Sequence, residues 1–384
     1  MKKLLLTSTA AALCAGTAMA GSHSEEIKIG VILGFTGPIE STVAHMGPAA
    51  ELAIQEVSDS GLLLGGAKVT AVTGDTTCID AAAATAATER LITSDGVKGI
   101  VGGDCSGVTG AMLQNVALPN GVVMISPSAT SPGLSHMNNE DNGLFFRTAP
   151  SDARQGVVMT EVLMDRGINE VAVTYTNNDY GKGLADAFQA AFEAAGGSVT
   201  INAAHEDGKA DYSAEVGALA SAGGELLVVA GYVDQGGAGI VRASLDSGAF
   251  DTFHFPDGMM SDALVANFGA EINGSSGQHP SPSEELAATF ATVAEGAGFE
   301  PSSPFAPESY DAAALILLAM QAAGSSDPNV YKEHVFHVAN APGEPIQAGE
   351  LAKGLQIIAD GGDIDYIGGT GVELVGPGEA AGNY

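Results

Sequence analysis

Between Val97 and Ser135 the chain reads VKGIVGGDCSGVTGAMLQNVALPNGVVMISPSATSPGLS, and no other stretch limits the possible folds as strongly. A short apolar run, Val97 to Val101, ends in Gly102-Gly103 and then offers Asp104, Cys105 and Ser106. A helical segment, Thr109 to Ala117, leads to a second apolar run, Val122 to Ile125, which closes in Ser126-Pro127-Ser128-Ala129-Thr130-Ser131. Strand, helix, strand at this spacing is a βαβ unit. In open sheets built of such units the ligand site lies outside the carboxyl ends of the strands. Both ends here are rich in hydroxyls and small side chains. Hydroxyls donate to an anion or accept from an ammonium, and the start of a helix favours a carboxylate. The expectation is a small polar molecule held in these loops, with no reaction following.

The same rhythm runs through the rest of the chain. Ile27 to Leu33 is a strand ending in the loop Gly34-Phe35-Thr36-Gly37-Pro38. Ala50, Ile54 and Val57 recur at helical spacing, Lys68 to Thr73 is the next strand, and Asp80 suits the N-cap of an alanine-rich helix. Leu144 to Arg147 reads as a strand running into a Thr148-Ala149-Pro150 linker. A second series follows, with strands at Glu170–Tyr175, Val199–Ala203, Leu226–Ala230 and Thr252–Phe255. Tyr310 to Ala322 is apolar nearly all round and predicts a buried helix. The Gly-, Ser- and Pro-rich 274–282 reads as a second crossing and 363–371 as a third. The predicted fold class is α/β, with two doubly wound parallel-sheet lobes joined by three hinge crossings. Lobe one takes 26–147 with 277–364, and lobe two takes 148–276 with 365–384. Hinged lobes of this kind close around a ligand.

The chain carries 46 acidic against 14 basic residues, for a formal net charge of −32. Such a charge repels nucleic acid and anionic membrane surfaces. The acids are scattered, as on a solvated acidic surface. Lys2-Lys3, the apolar Leu4 to Ala15 and Ala18-Met19-Ala20 have the order of a secretory leader, residues 1–20; a buried N-terminal element or a lipid anchor on Cys14 are the alternatives. Beyond the leader stand two cysteines, Cys78 and Cys105. They lie on neighbouring strand-end loops and either pair, as an oxidising compartment favours, or remain two buried thiols.

The order of these motifs resembles the periplasmic solute-binding proteins of the branched-chain amino-acid (Leu/Ile/Val) type, which serve ABC importers. The resemblance covers the whole chain after the leader. It is carried by Cys78, Cys105-Ser106, Ile125-Ser126-Pro127-Ser128-Ala129-Thr130, Phe146-Arg147-Thr148, Asp179-Tyr180-Gly181-Lys182-Gly183, Gly231-Tyr232, Pro256-Asp257-Gly258 and Glu308-Ser309-Tyr310-Asp311-Ala312. It implies a type I periplasmic-binding fold, a periplasmic location, an inner-membrane ABC permease as partner, no cofactor and no catalysis. It also implies roles. Ser106 and Thr130 would hold an α-carboxylate. The Ser128 carbonyl and Thr130 hydroxyl would take the α-ammonium, with Asp257 completing that site on closure. Tyr180 and Tyr232 would be walls from lobe two, and Cys78 would pair with Cys105.

Three departures matter. Asp257 is one methylene shorter than the family's usual Glu. Glu40 or Asp104 is expected to face the cleft and to favour a polar or cationic ligand. The chain stops at Tyr384, before the family's usual final strand, so lobe two would lack an edge or the sequence would be truncated. The rival functions are a ligand-sensing receptor or regulator of the same fold and, further off, a hydrolytic enzyme. No G-x-S-x-G, P-loop, H-E-x-x-H or C-x-x-C stands in the sequence. His334 and His337 are a possible metal pair but have no third ligand, and read as a helix-surface pair. The identity of the ligand and the oligomeric state are not legible.

Overall fold

The computed structural model describes residues 26–137, 141–382 and 384; the leader at 1–20 lies outside them. The first sheet is formed by β1 (Glu26–Leu33), β2 (Lys68–Asp75), β3 (Gly99–Gly102), β4 (Met124–Ser126) and β5 (Phe145–Arg147). The second is formed by β6 (Glu170–Thr176), β7 (Ser198–His205), β8 (Leu226–Ala230), β9 (Phe253–Phe255) and β10 (Ser276–Gly277). After them come β11 (Glu344–Gln347), β12 (Ile364–Gly368), β13 (Leu374–Val375) and β14 (Glu379–Ala380). The spatial orders are β2-β1-β3-β4-β5-β14-β13 and β7-β6-β8-β9-β10, with β11-β12 a separate pair. The two lobes are mixed α/β, and all their strand pairs are parallel except β13 with β14.

Burial explains why these runs are strands. In β1, Ile29, Val31, Ile32 and Leu33 are fully buried, because helices cover both faces of a parallel sheet. Each such side chain contributes about 1.5–3 kcal/mol of transfer free energy. The helix Ala306–Ala323 is buried along nearly its whole length. It packs between the helix Glu40–Ser60 and the strands β3 and β4, so it has no polar face. At Gly102 and Gly37 the backbone approaches too closely for any side chain. A Cβ on Gly102, at φ +135°, would lie 2.1 Å from Ile32 O, and one on Gly37, at φ +118°, would lie 2.4 Å from Thr77 O.

Strand order reverses on either side of β1 in the first sheet and of β6 in the second. Between β1 and β3, and again between β6 and β8, the strand-end loops therefore diverge and leave a crevice at the carboxyl edge. Ser106 follows β3, Tyr180 follows β6 and Tyr232 follows β8. Cys78 and Cys105 form a disulfide that closes a span of 27 residues, worth about 3 kcal/mol by chain entropy. It ties the loop after β2 to the loop that carries Ser106.

The C-terminal region departs from expectation. Residues 365–384 were assigned to lobe two; instead β14 pairs with β5 and β13 with β14, widening the first sheet. The expected third crossing at 363–371 stays in lobe one. There Asp311 accepts hydrogen bonds from Gly369 N, Thr370 N, Thr370 Oγ1 and Tyr366 Oη. This buried carboxylate binds the segment to the helix Ala306–Ala323 and leaves it no path across. Among the described residues, passage between the lobes occurs after β5 and after β10. No helix among them is long and apolar enough to span a membrane.

Candidate functional site

Arg147, the last residue of β5, is fully buried. Nη1 donates to Ala129 O (3.1 Å) and Ser131 O (3.0 Å), and Nη2 donates to Ser135 Oγ (2.7 Å) and Glu379 Oε2 (2.5 Å). A planar guanidinium can bridge carbonyls two residues apart while meeting a carboxylate on another edge. It therefore sets the shape of the loop around Thr130. Ser126 Oγ adds to this, accepting from Ala129 N (3.0 Å) and donating to Gly103 O (2.5 Å). Ser106 Oγ accepts from Ser131 N (3.1 Å), so its proton remains available to an anion. The Ser128 hydroxyl donates to Asp104 O (3.0 Å), which leaves its carbonyl as the group able to face a ligand.

Lobe two brings a set of acids and phenols. Tyr180 and Tyr232 stack at 5.2 Å between ring centroids, 15° apart. Tyr180 Oη donates to Asp257 Oδ1 (2.6 Å), as does Gly258 N (2.9 Å). With its amide turned to satisfy its neighbours, Gln155 donates to Asp152 Oδ1 (3.1 Å) and Asp257 Oδ1 (3.2 Å). All three bonds to Asp257 thus reach Oδ1. Asp152 N donates to Thr130 O (2.9 Å), joining this cluster to lobe one. The Thr130 hydroxyl stands near the Asp152 carboxyl, yet Thr130 Oγ1 and Asp152 Oδ2 complete no hydrogen bond of good geometry though both are buried.

Electrostatics follow from that burial. Desolvation pushes the Asp257 carboxyl up to about 6. Asp152 is raised well above its ordinary value, first by burial and then by the charge of Asp257. Burial also raises the phenols of Tyr180 and Tyr232, so both stay protonated donors. Arg147 is engaged by Glu379. The interface thus gathers two buried carboxyls, two phenols and the Thr130 hydroxyl in one desolvated cluster.

The two acids expected to face the cleft, Glu40 and Asp104, are placed otherwise. Glu40 is exposed in the first turn of its helix. Asp104 is buried, but its two oxygens accept from Gly34 N (2.7 Å) and Thr76 Oγ1 (2.9 Å). It clamps three strand-end loops of lobe one rather than facing the cleft. Grooves of about 350 Å³ flank the lobe interface. One is lined by Ser106, Ser131, Met137, Asp179 and Lys182, the other by Gly107, Val108, Asn178 and Asp207. Of the six site residues expected from the sequence, Ser106 lines the first. Ser128, Thr130, Tyr180, Tyr232 and Asp257 are buried between the lobes. Asp152 and Gln155 escaped the sequence reading; two polar residues three apart, opening a helix just after a crossing, were the available signal. His334 and His337 lie 6.5 Å apart at a separate cavity with Asp363, and no metal-binding group of three occurs among the described residues.

A family profile described as "Periplasmic binding protein" matches residues 26–333. The chain belongs to the periplasmic binding protein family. Among its relatives is the Leu/Ile/Val-binding protein homolog 3 of Brucella melitensis, 32% identical over 370 residues, covering 95% of each chain. Another is the leucine-, isoleucine-, valine-, threonine- and alanine-binding protein of Pseudomonas aeruginosa, 28% identical over 327 residues, 84% of this chain and 86% of that one. A solved leucine-binding protein from Thermotoga maritima superposes with TM-score 0.72 at 26% identity, covering 82% of this chain and 88% of that one. The two-lobed fold of the periplasmic binding proteins is therefore the fold of this chain.

One buried acid of this family member sits off the cleft cluster. Glu308, in the first turn of the helix Ala306–Ala323, is 2% exposed, and its Oε2 has no partner. Burial pushes it up to about 8. Its folded value lies above its unfolded one, so its contribution is fully present below about 4.5 and is lost as pH rises through about 8. The loss is on the order of 4 kcal/mol. Thermal unfolding from pH 5 to 9 should show a falling midpoint for the wild type and a flatter profile for Glu308→Gln. Parallel profiles would refute this.

Proposed function

We propose that this chain is the periplasmic solute-binding component of an ABC importer, capturing an L-amino acid by hinged closure and releasing it unaltered to a membrane permease. The reading rests on one observation above the rest. Across the lobe interface, the Thr130 hydroxyl and the Asp152 carboxyl lie buried beside each other with no hydrogen bond of good geometry, and the described bonds to the Asp257 side chain reach Oδ1. A primary ammonium brings three donors and one positive charge, which such a set of acceptors lacks. The Ser106 hydroxyl and the Thr130 loop, held by Arg147, would take the carboxylate; the Ser128 carbonyl, Thr130 hydroxyl and Asp257 would take the ammonium. Tyr180 and Tyr232 would cover the bound molecule from lobe two. Relatives named for leucine, isoleucine, valine, threonine and alanine support an aliphatic or small polar side chain. The engagement of Asp104 within lobe one removes the reason for expecting a basic one.

Native mass spectrometry of protein purified without denaturation, followed by calorimetric titration, tests this. Leucine, threonine, alanine, lysine and benzoate form a suitable panel. At least one neutral L-amino acid is expected to bind with a micromolar or lower Kd and to be recovered intact. Binding of benzoate alone, which has no ammonium, would overturn the assignment.

A further inference from the structure

The helix Glu40–Ser60 of lobe one begins without a cap of its own, since Ile39 at its N-cap makes no side-chain hydrogen bond. The acceptor comes from the other lobe. Asp234, in the loop after β8, accepts at Oδ2 from Ser41 N (2.9 Å), and its own N–H donates to Pro38 O (3.1 Å). Beside this pair, Ser41 Oγ and Ser261 Oγ are 3.2 Å apart, again joining the two lobes.

We infer that Asp234 is a latch for the closed form, a positioning residue that sets ligand affinity by capping a helix of the opposite lobe without touching the ligand. The inference rests on the reading of the cleft as a hinged amino-acid site. A carboxylate on the free N–H groups of a helix start is a favourable cap, strengthened by charge and by the helix dipole. The exchange is reciprocal, so two bonds fix the same pair of loops against each other. Each of these bonds joins different lobes, and opening returns every partner to water. Measured affinity contains the closure equilibrium. Whatever holds the closed form therefore tightens binding by the same factor. The latch forms only after the lobes meet, so it acts on dissociation rather than on association.

Stopped-flow kinetics with L-leucine as the probe, on wild type, Asp234→Ala, Asp234→Asn and Asp262→Ala, test this. Asp262 is an exposed acid beside Ser261. Loss of the charge-assisted bond is expected to raise the dissociation rate of Asp234→Ala about tenfold, with association unchanged. Asp234→Asn should fall between, and Asp262→Ala should match wild type. A merely structural role would lower the melting point and the active fraction while leaving the dissociation rate alone, and that result overturns the latch. If wild type binds neither leucine nor the other amino acids, the functional reading fails by itself. Small-angle scattering of the ligand-free proteins then decides the latch: a larger radius of gyration for Asp234→Ala supports it, and equal radii reject it.

Discussion

Replacing Arg147 by methionine is expected to lower the unfolding free energy by about 3–5 kcal/mol and to abolish amino-acid binding. The guanidinium is fully buried, and its four described bonds go to Ala129 O, Ser131 O, Ser135 Oγ and Glu379 Oε2. Methionine refills much of the volume but takes from Ala129 O its described donor and from Glu379 its compensating charge, and leaving a buried charge uncompensated is what makes breaking such a pair so costly. The loop around Thr130 would relax, and with it the proposed carboxylate and ammonium contacts. Denaturant unfolding and calorimetry on the same sample measure both effects. Adding Glu379→Gln to the variant should recover part of the stability and none of the binding. A single variant with wild-type midpoint and affinity would show that the loop holds its shape without the arginine.

Asp257→Asn is expected to weaken amino-acid binding about 100-fold, since a desolvated ammonium loses its charged acceptor while shape is kept. The same carboxyl confers a pH dependence of defined sign. Burial pushes it up to about 6. Below that value the ligand-free site takes up a proton that the ammonium must displace, so affinity should fall about fivefold from pH 6 to pH 5. The ligand itself remains a zwitterion across that range. The asparagine variant should bind weakly and with a flat profile. Affinity of the wild type that stays constant down to pH 5 would mean that the acid is not a ligand-binding group.

Most of the architecture was legible in the chain. Strands such as Leu226–Ala230 stand where apolar runs put them, and the buried helix expected over Tyr310 to Ala322 is found at Ala306–Ala323. Their periods are imposed by backbone geometry and burial on both faces. The C-terminal region was misread because β13 and β14 are two residues long each, too short to show a period. The partner of β14, β5, lies more than two hundred residues earlier. The role of Asp104 was misread for a related reason. A carboxylate after a strand reads the same whether it meets a ligand or a Gly34 amide.

Sequence alone determined the two βα series, the acidic surface and the hydroxyl-rich strand ends, because each depends on neighbours close along the chain. Only the tertiary structure decided which lobe holds the C-terminal strands, how Arg147 and Glu379 brace the Thr130 loop, that Asp152 and Gln155 join Asp257, and that Asp234 caps a helix of the other lobe. Those are contacts between residues distant in sequence. They depend on how two sheets and their loops meet in space, and no local pattern of residue types encodes that meeting.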